Sequence, residues 1–203
     1  MESIEAEALA RSDRYLGEFV EALELCPFAR KCRESGRLDR RVLRGGRPGE
    51  ATAAAVTELE ATAEDQVEVA LLIYPEFEGD LRAFEGFRDE VRRGLRLFYC
   101  VAFHPDLPMD LSDENRAVSF LRRSPDPTLQ LVRIATLDRV RSGRPGGSVY
   151  LDPSKLSAHE LRSLRPELTV SEQIARANLR TLQRHDAARL ASLLAGLRRS
   201  SPP

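Results

Sequence analysis

The sequence has no tryptophan, two lysines and three histidines in 203 residues. Its three cysteines, Cys26, Cys32 and Cys100, are odd in number and form no CxxC pair, so they make no disulfide framework. No HExxH, paired CxxC or EF-hand loop is present, and no metal site can be read along the chain. GxGxxG and P-loop fingerprints are also missing, so the sequence names no cofactor. The longest apolar runs, Val69 to Tyr74 and Leu97 to Phe103, fall far short of the ~20 residues that span a bilayer. The opening segment, MESIEAEALARSD, is acidic and lacks the apolar stretch of a secretory leader. From these absences we expect a soluble, reduced, cytoplasmic protein without a membrane partner.

An excess of one charge sign is missing too. Lys+Arg total 31 and Asp+Glu 32, a net charge of −1, which argues against a nucleic-acid partner. Apolar residues make up 42%, enough for a globular core, and the length suits one domain with an appendage. The cations are almost all arginine. Biased coding composition is the plain explanation. Anion recognition is the sharper one, because the guanidinium fork matches carboxylates and phosphates. Charge is also uneven along the chain: residues 153–203 carry +5 and residues 1–152 carry −6. The plain explanation is a solvated helical surface; the tail could also dock on the acidic body or on an acidic partner.

Hydrophobic periodicity predicts the order of elements. Leu16, Phe19, Val20 and Leu23 mark an amphipathic helix over 13–24, capped by Ser12 or Asp13. A second helix begins at Pro27 with Cys26 at its N-cap and runs to about Glu34. A weak strand over Arg40 to Arg44 precedes the Gly-rich turn RGGRPGE and a helix over Ala51 to Ala63. Val67 to Tyr74 and Leu95 to Phe103 are strong strands flanking a helix over Leu81 to Arg93. A short helix spans Asp113 to Leu121. Thr128 to Val140 reads as another, with Leu129, Val132, Ala135 and Val140 facing inward.

The fold class expected is α/β, a two- or three-layer sandwich with a small, mostly parallel sheet of about three strands. After the linker SGRPGGS come helical pieces at 158–164, 170–184 and 186–197. The last carries an apolar stripe of Leu190, Leu193, Leu194 and Leu197. We therefore expect an α/β core domain over 1–145 and a C-terminal helical extension over 146–203. The stripe either docks on the core or forms a homodimer contact.

Ligands in such sheets bind beyond the carboxyl ends of the strands. That rule points to Arg44, to Tyr74 and Glu76 with Asp80 close behind, and to His104 and Asp106. His104 follows seven apolar residues, where its protonation could be tuned for acid–base work. A histidine that merely hydrogen-bonds a loop is the plain alternative. Cys26 at a helix N-terminus would favour thiolate, as nucleophile or redox thiol, against the alternative of a small buried hydrophobe. The RGGRPGE loop could cradle a phosphate. Arg116, Arg122, Arg123 and Arg133 surround a rigid Ser-Pro-Asp-Pro turn and suit a carboxylate or phosphate ligand.

Three islands, LELCPFAR (Leu23 to Arg30), VAFHPDL (Val101 to Leu107) and RSPDPTLQLVR (Arg123 to Arg133), occur in the order and spacing of a known family. They resemble the bacterial domain-of-unknown-function family 1415, over about residues 13–140. The resemblance implies a bacterial source and a shared pocket, and no particular activity. Relative to the family pattern, Glu24 and Arg122 each replace an asparagine, Asp126 a tyrosine, Gln130 a histidine and Ile134 a glutamate. Losing that histidine and glutamate weakens a metal or acid–base role for the last island.

The expectation is an enzyme acting on a small anionic metabolite. Cys26 and His104 would be its catalytic pair, and Arg123, Arg116, Arg44 and Asp80 would bind substrate. The alternatives are a metal protein with Cys26 and His104 as ligands, and a non-catalytic module whose Arg-rich tail engages a partner.

Overall fold

The computed structural model describes residues 3–26, 28–142 and 170–198. Ser3 starts the first helix, α1 (Ile4–Arg14), by accepting the Ala6 N–H at 3.2 Å. The helix periodic over 13–24 therefore begins much earlier than expected. At Tyr15 it widens into a π-helical run, Tyr15–Glu21, in which Ala22 N–H reaches Gly17 O at 3.1 Å. This turn stacks Tyr15 on Phe19, ring centroids 5.6 Å apart, and buries both with Leu16. Three residues past the run comes Glu24, whose φ of 52° is left-handed. Asparagine tolerates that conformation better than glutamate does.

The sheet has four strands in the order β1 (Leu38–Val42), β2 (Val69–Ile73), β4 (Thr128–Arg133), β3 (Phe98–Phe103). β1 and β2 are parallel. β4 runs antiparallel to both β2 and β3, so the sheet is mixed. This corrects the expected three-stranded, mostly parallel sheet, and it corrects the helix read over Thr128 to Val140. That segment is strand β4 followed by a helix, α6 (Ile134–Ser142). Its apolar spacing fits both periods. Leu129 and Leu131 alternate with Gln130 and Val132 as a strand requires, and the pairing of both its edges decides for strand.

Both crossovers, through α3 (Gly49–Ala61) and α4 (Leu81–Gly94), advance in the same direction across the sheet. Right-handed connections then place both helices on one face. Ala55 and Leu59 of α3 and Phe84 of α4 accordingly share a core with Ala70, Leu72, Cys100, Leu129 and Leu131. The other face is covered by α1, the π-helical run and α5 (Glu114–Leu121). Two C-terminal helices, α7 (Val170–Gln183) and α8 (Ala187–Leu197), cover it as well. Leu182, Leu190, Leu194 and Leu197 lie in that core with Phe19, Phe120, Leu71 and Ile73. The Leu190–Leu197 stripe thus faces the chain's own body. The helical piece expected at 158–164 and the linker at 143–148 lie outside the described residues. Among the described residues, no helix is long and apolar enough to cross a membrane.

Candidate functional site

The register brings the carboxyl ends of β1, β2 and β3 to one end of the sheet, together with the start of β4. Four turns meet there. The first, after β1, is the RGGRPGE loop, which by its sequence could cradle a phosphate or be a plain turn. Its anion is internal: the Glu76 carboxylate accepts the Gly45 N–H at 3.0 Å and pairs with Arg44 at 3.2 Å. Gly45 has φ 92°, which suits glycine and lets its N–H turn toward Glu76. Arg44 is therefore an exposed member of a loop-to-loop ion pair. In the second turn Asp80 accepts the Ala83 N–H at 2.9 Å and caps α4.

The turn after β3 is built around His104. Its backbone N–H donates to Arg122 O at 3.0 Å, joining the strand end to the segment after α5. Its ring is buried, 5.6 Å from the Phe84 ring. Nδ1 accepts the Asp106 N–H at 3.1 Å, so in the neutral ring the proton sits on Nε2. Burial holds its pKa below the ordinary 6.5, and Asp106 opposes that by attraction. The consequence for stability has a definite sign. The unfolded chain takes up this proton near 6.5 and the folded chain only at lower pH. Stability from this residue is therefore level above 6.5 and falls as the pH drops from there toward the folded value. Thermal melts from pH 7.5 to 5 should show the melting temperature declining below about 6.5. His104→Asn keeps an acceptor for the Asp106 N–H and removes the titration, so its decline should be shallower. Equal slopes in the two proteins would show that His104 does not titrate in this range.

The fourth turn, Arg123 to Thr128, is pinned from several sides. Ser124 Oγ and Thr128 Oγ1 both donate to Asp126 O, at 2.5 and 2.9 Å. The Tyr74 N–H donates to Pro127 O at 2.9 Å. Asp126 receives two parallel bonds of 2.9 Å from Arg11 of α1, a bidentate pair that gives the replaced tyrosine position a partner of its own. Arg123 points the other way. It donates to Leu107 O, and burial together with the Arg198 charge lowers its pKa.

Arg198, immediately after α8, completes the site. It pairs with Asp106 at 2.9 Å, and this hydrogen bond depresses the Asp106 carboxyl. Asp106 in turn lies 3.9 Å from His104 Nδ1. Pro105, Met109, Arg123 and Ser124 face Ala191, Leu194, Ala195 and Arg198 across an open cleft of about 70 Å³. That volume holds a few water-sized groups, enough for one carboxylate or phosphate head.

The remaining candidates lie apart from this cleft. Arg116 is exposed and pairs with Asp110 and Asp113, at 2.7 and 3.3 Å. Arg133 is buried at the opposite end of β4, where it serves the core. Cys26 is not an N-cap: the helix α2 (Ala29–Glu34) has Phe28 in the cap position, and the Cys26 carbonyl accepts the Ala29 N–H of its first turn. The helix-terminus argument for a thiolate therefore loses its basis. Cys26 is exposed, and it acts electrostatically on Tyr15 and Cys32. No hydrogen bond or ion pair among the described residues joins it to His104. Burial pushes the Cys32 and Cys100 thiols up to about 11 and about 12, as suits inert core residues. Among the described residues, no group of three or more His, Cys, Asp or Glu side chains could hold a metal.

Sequence reasoning found the last helix and missed Arg198, which follows it. The signal that could have found this residue was the opposition of +5 in the tail to −6 in the body.

A family model described as a protein of unknown function (DUF1415) matches residues 7–150. No curated protein and no solved structure matches the chain. The matched stretch includes His104, Asp106 and Arg123 and ends before the helices that bring in Arg198.

Proposed function

This chain belongs to the DUF1415 family of proteins of unknown function, and on that premise we propose that it binds a small anionic metabolite. The ligand's carboxylate or phosphate would sit in the cleft between the strand-end turns and α8. What carries the reading is two arginines, Arg123 and Arg198, lining one small cleft, the second of them paired with Asp106. Arg123 makes one side-chain hydrogen bond among the described residues, to Leu107 O, which leaves most of its fork for a ligand. Arg198 gives one nitrogen to Asp106. Each arginine raises the cost of the other's charge, and an anion bound between them removes that cost.

The reading is one of recognition. Neither His104 nor Cys26 lines the cleft, so neither is asked to react. Titration calorimetry of the full chain with acetate and with inorganic phosphate at low salt should give saturable binding. Arg123→Ala should weaken it by about 10- to 100-fold, the value of a charge-assisted hydrogen bond. An unchanged affinity in Arg123→Ala overturns the reading.

A further inference from the structure

We infer that the cleft takes a short aliphatic carboxylate, its acid group held by Arg123 and Arg198 and its hydrocarbon laid against α8. The inference rests on the anion-binding reading above and goes beyond it to the class of ligand. Ala191, Leu194, Ala195 and Arg198 line the cleft at spacings i, i+3, i+4 and i+7. They therefore belong to one face of α8 and the residue that caps it. That face changes character along its length. From Ala191 to Ala195 it runs for about 6 Å without a polar side-chain atom. The backbone there is bonded within the helix and offers a ligand nothing. Arg198 stands at the end of this wall. Alanine at both 191 and 195 keeps the space in front of it open.

The opposite wall has the same two parts. Arg123 supplies the charge, and Pro105 and Met109 supply apolar surface. Met109 is 39% exposed, a large flexible apolar side chain that a hydrocarbon ligand would cover. Ser124 adds no free donor, because its hydroxyl donates to Asp126 O. The side-chain donors open to a ligand are therefore those of the two arginines, and everything beyond their reach is apolar. A ligand with polar groups along its body would lose water there without gaining partners. A methylene chain exchanges water for apolar contact.

Titration calorimetry of the full-length protein with acetate, propionate, butyrate and inorganic phosphate at low salt tests this. In the wild type, affinity should rise about two- to fourfold with each added methylene, the range for a tail partly or fully withdrawn from water. The heat capacity of binding should become more negative along the same series. Ala191→Leu fills the apolar end of the cleft, so its butyrate-to-acetate affinity ratio should fall to near one. Arg123→Ala should weaken all three carboxylates by a common factor and keep the gain per methylene. Thermal melts verify that each variant is folded.

If affinity is flat from acetate to butyrate in the wild type, hydrocarbon recognition is overturned while anion binding stands. If the gain per methylene persists in Ala191→Leu, the tail lies elsewhere and the inference is overturned in the same way. If none of the four ligands binds the wild type, or Arg123→Ala weakens none of them, this inference and the reading beneath it both fall.

Discussion

Leu190→Asp is expected to destabilise the whole fold by about 4 kcal/mol or more, the range for losing a buried leucine and burying an unpaired charge. Leu190 is 2% exposed and does not line the cleft, so the effect reports on packing alone. Four of the thirteen buried residues in the core beneath α1 come from α7 and α8. Removing that cover would strip the sheet face carrying Leu71 and Ile73 of much of its packing. Urea unfolding followed by circular dichroism should therefore show one cooperative transition at a much lower midpoint. Limited proteolysis checks the alternative. If cleavage after residue 142 releases the C-terminal helices and leaves a body with wild-type cooperativity, residues 146–203 are a separable extension.

Arg133→Met is expected to cost about 3 kcal/mol, with no change in anion binding. Arg133 is 4% exposed, and no carboxylate pairs with it among its bonds. Its guanidinium donates to Val67 O at 2.9 Å, Thr62 O at 3.1 Å and Leu59 O at 3.5 Å. Two of these carbonyls close the C-terminus of α3, where the helix dipole favours a cation. The group also lies over the Phe98 ring, 4.5 Å from its centroid. Methionine fills the volume and takes the donor from the Val67 and Thr62 carbonyls, whereas Leu59 O keeps the Thr62 N–H. Arg133→Lys restores one donor without the planar fork and should recover less than half of the loss. Chemical denaturation of the three proteins, with calorimetry on acetate, checks both halves. A methionine variant as stable as wild type would show that those carbonyls find other partners.

The contrast between Arg123 and Arg133 shows why part of the site was legible and part was not. Both lie in one proline-centred island, and residue chemistry alone recommends both as ligand contacts. β4 runs away from the strand ends between them, so one lands in a cleft and the other in a core. His104 was found from its place after an apolar strand. Its burial and its bond to the Asp106 N–H came from the turn geometry. Arg44 and Asp80 were found at the correct end of the sheet. Each carries out a local duty there, pairing with Glu76 or capping α4. Cys26 drew its interest from a helix start that falls three residues later, at Ala29.

The sequence by itself determined the parts that depend on near neighbours. The apolar runs of β2 and β3, the amphipathic helices between them and the capped helix after Asp186 all follow from periodicity and capping chemistry. So does the gathering of the carboxyl ends of β1, β2 and β3 at one end of the sheet, because helical crossovers join parallel strands. The tertiary structure decided what depends on distant partners. β4 is a strand because β2 and β3 both offer it hydrogen bonds, which no local pattern encodes. Arg198 belongs to the cleft because the leucine stripe of α8 needs apolar cover and finds it on the sheet face beside α1. That packing carries the guanidinium to Asp106, 92 residues away along the chain.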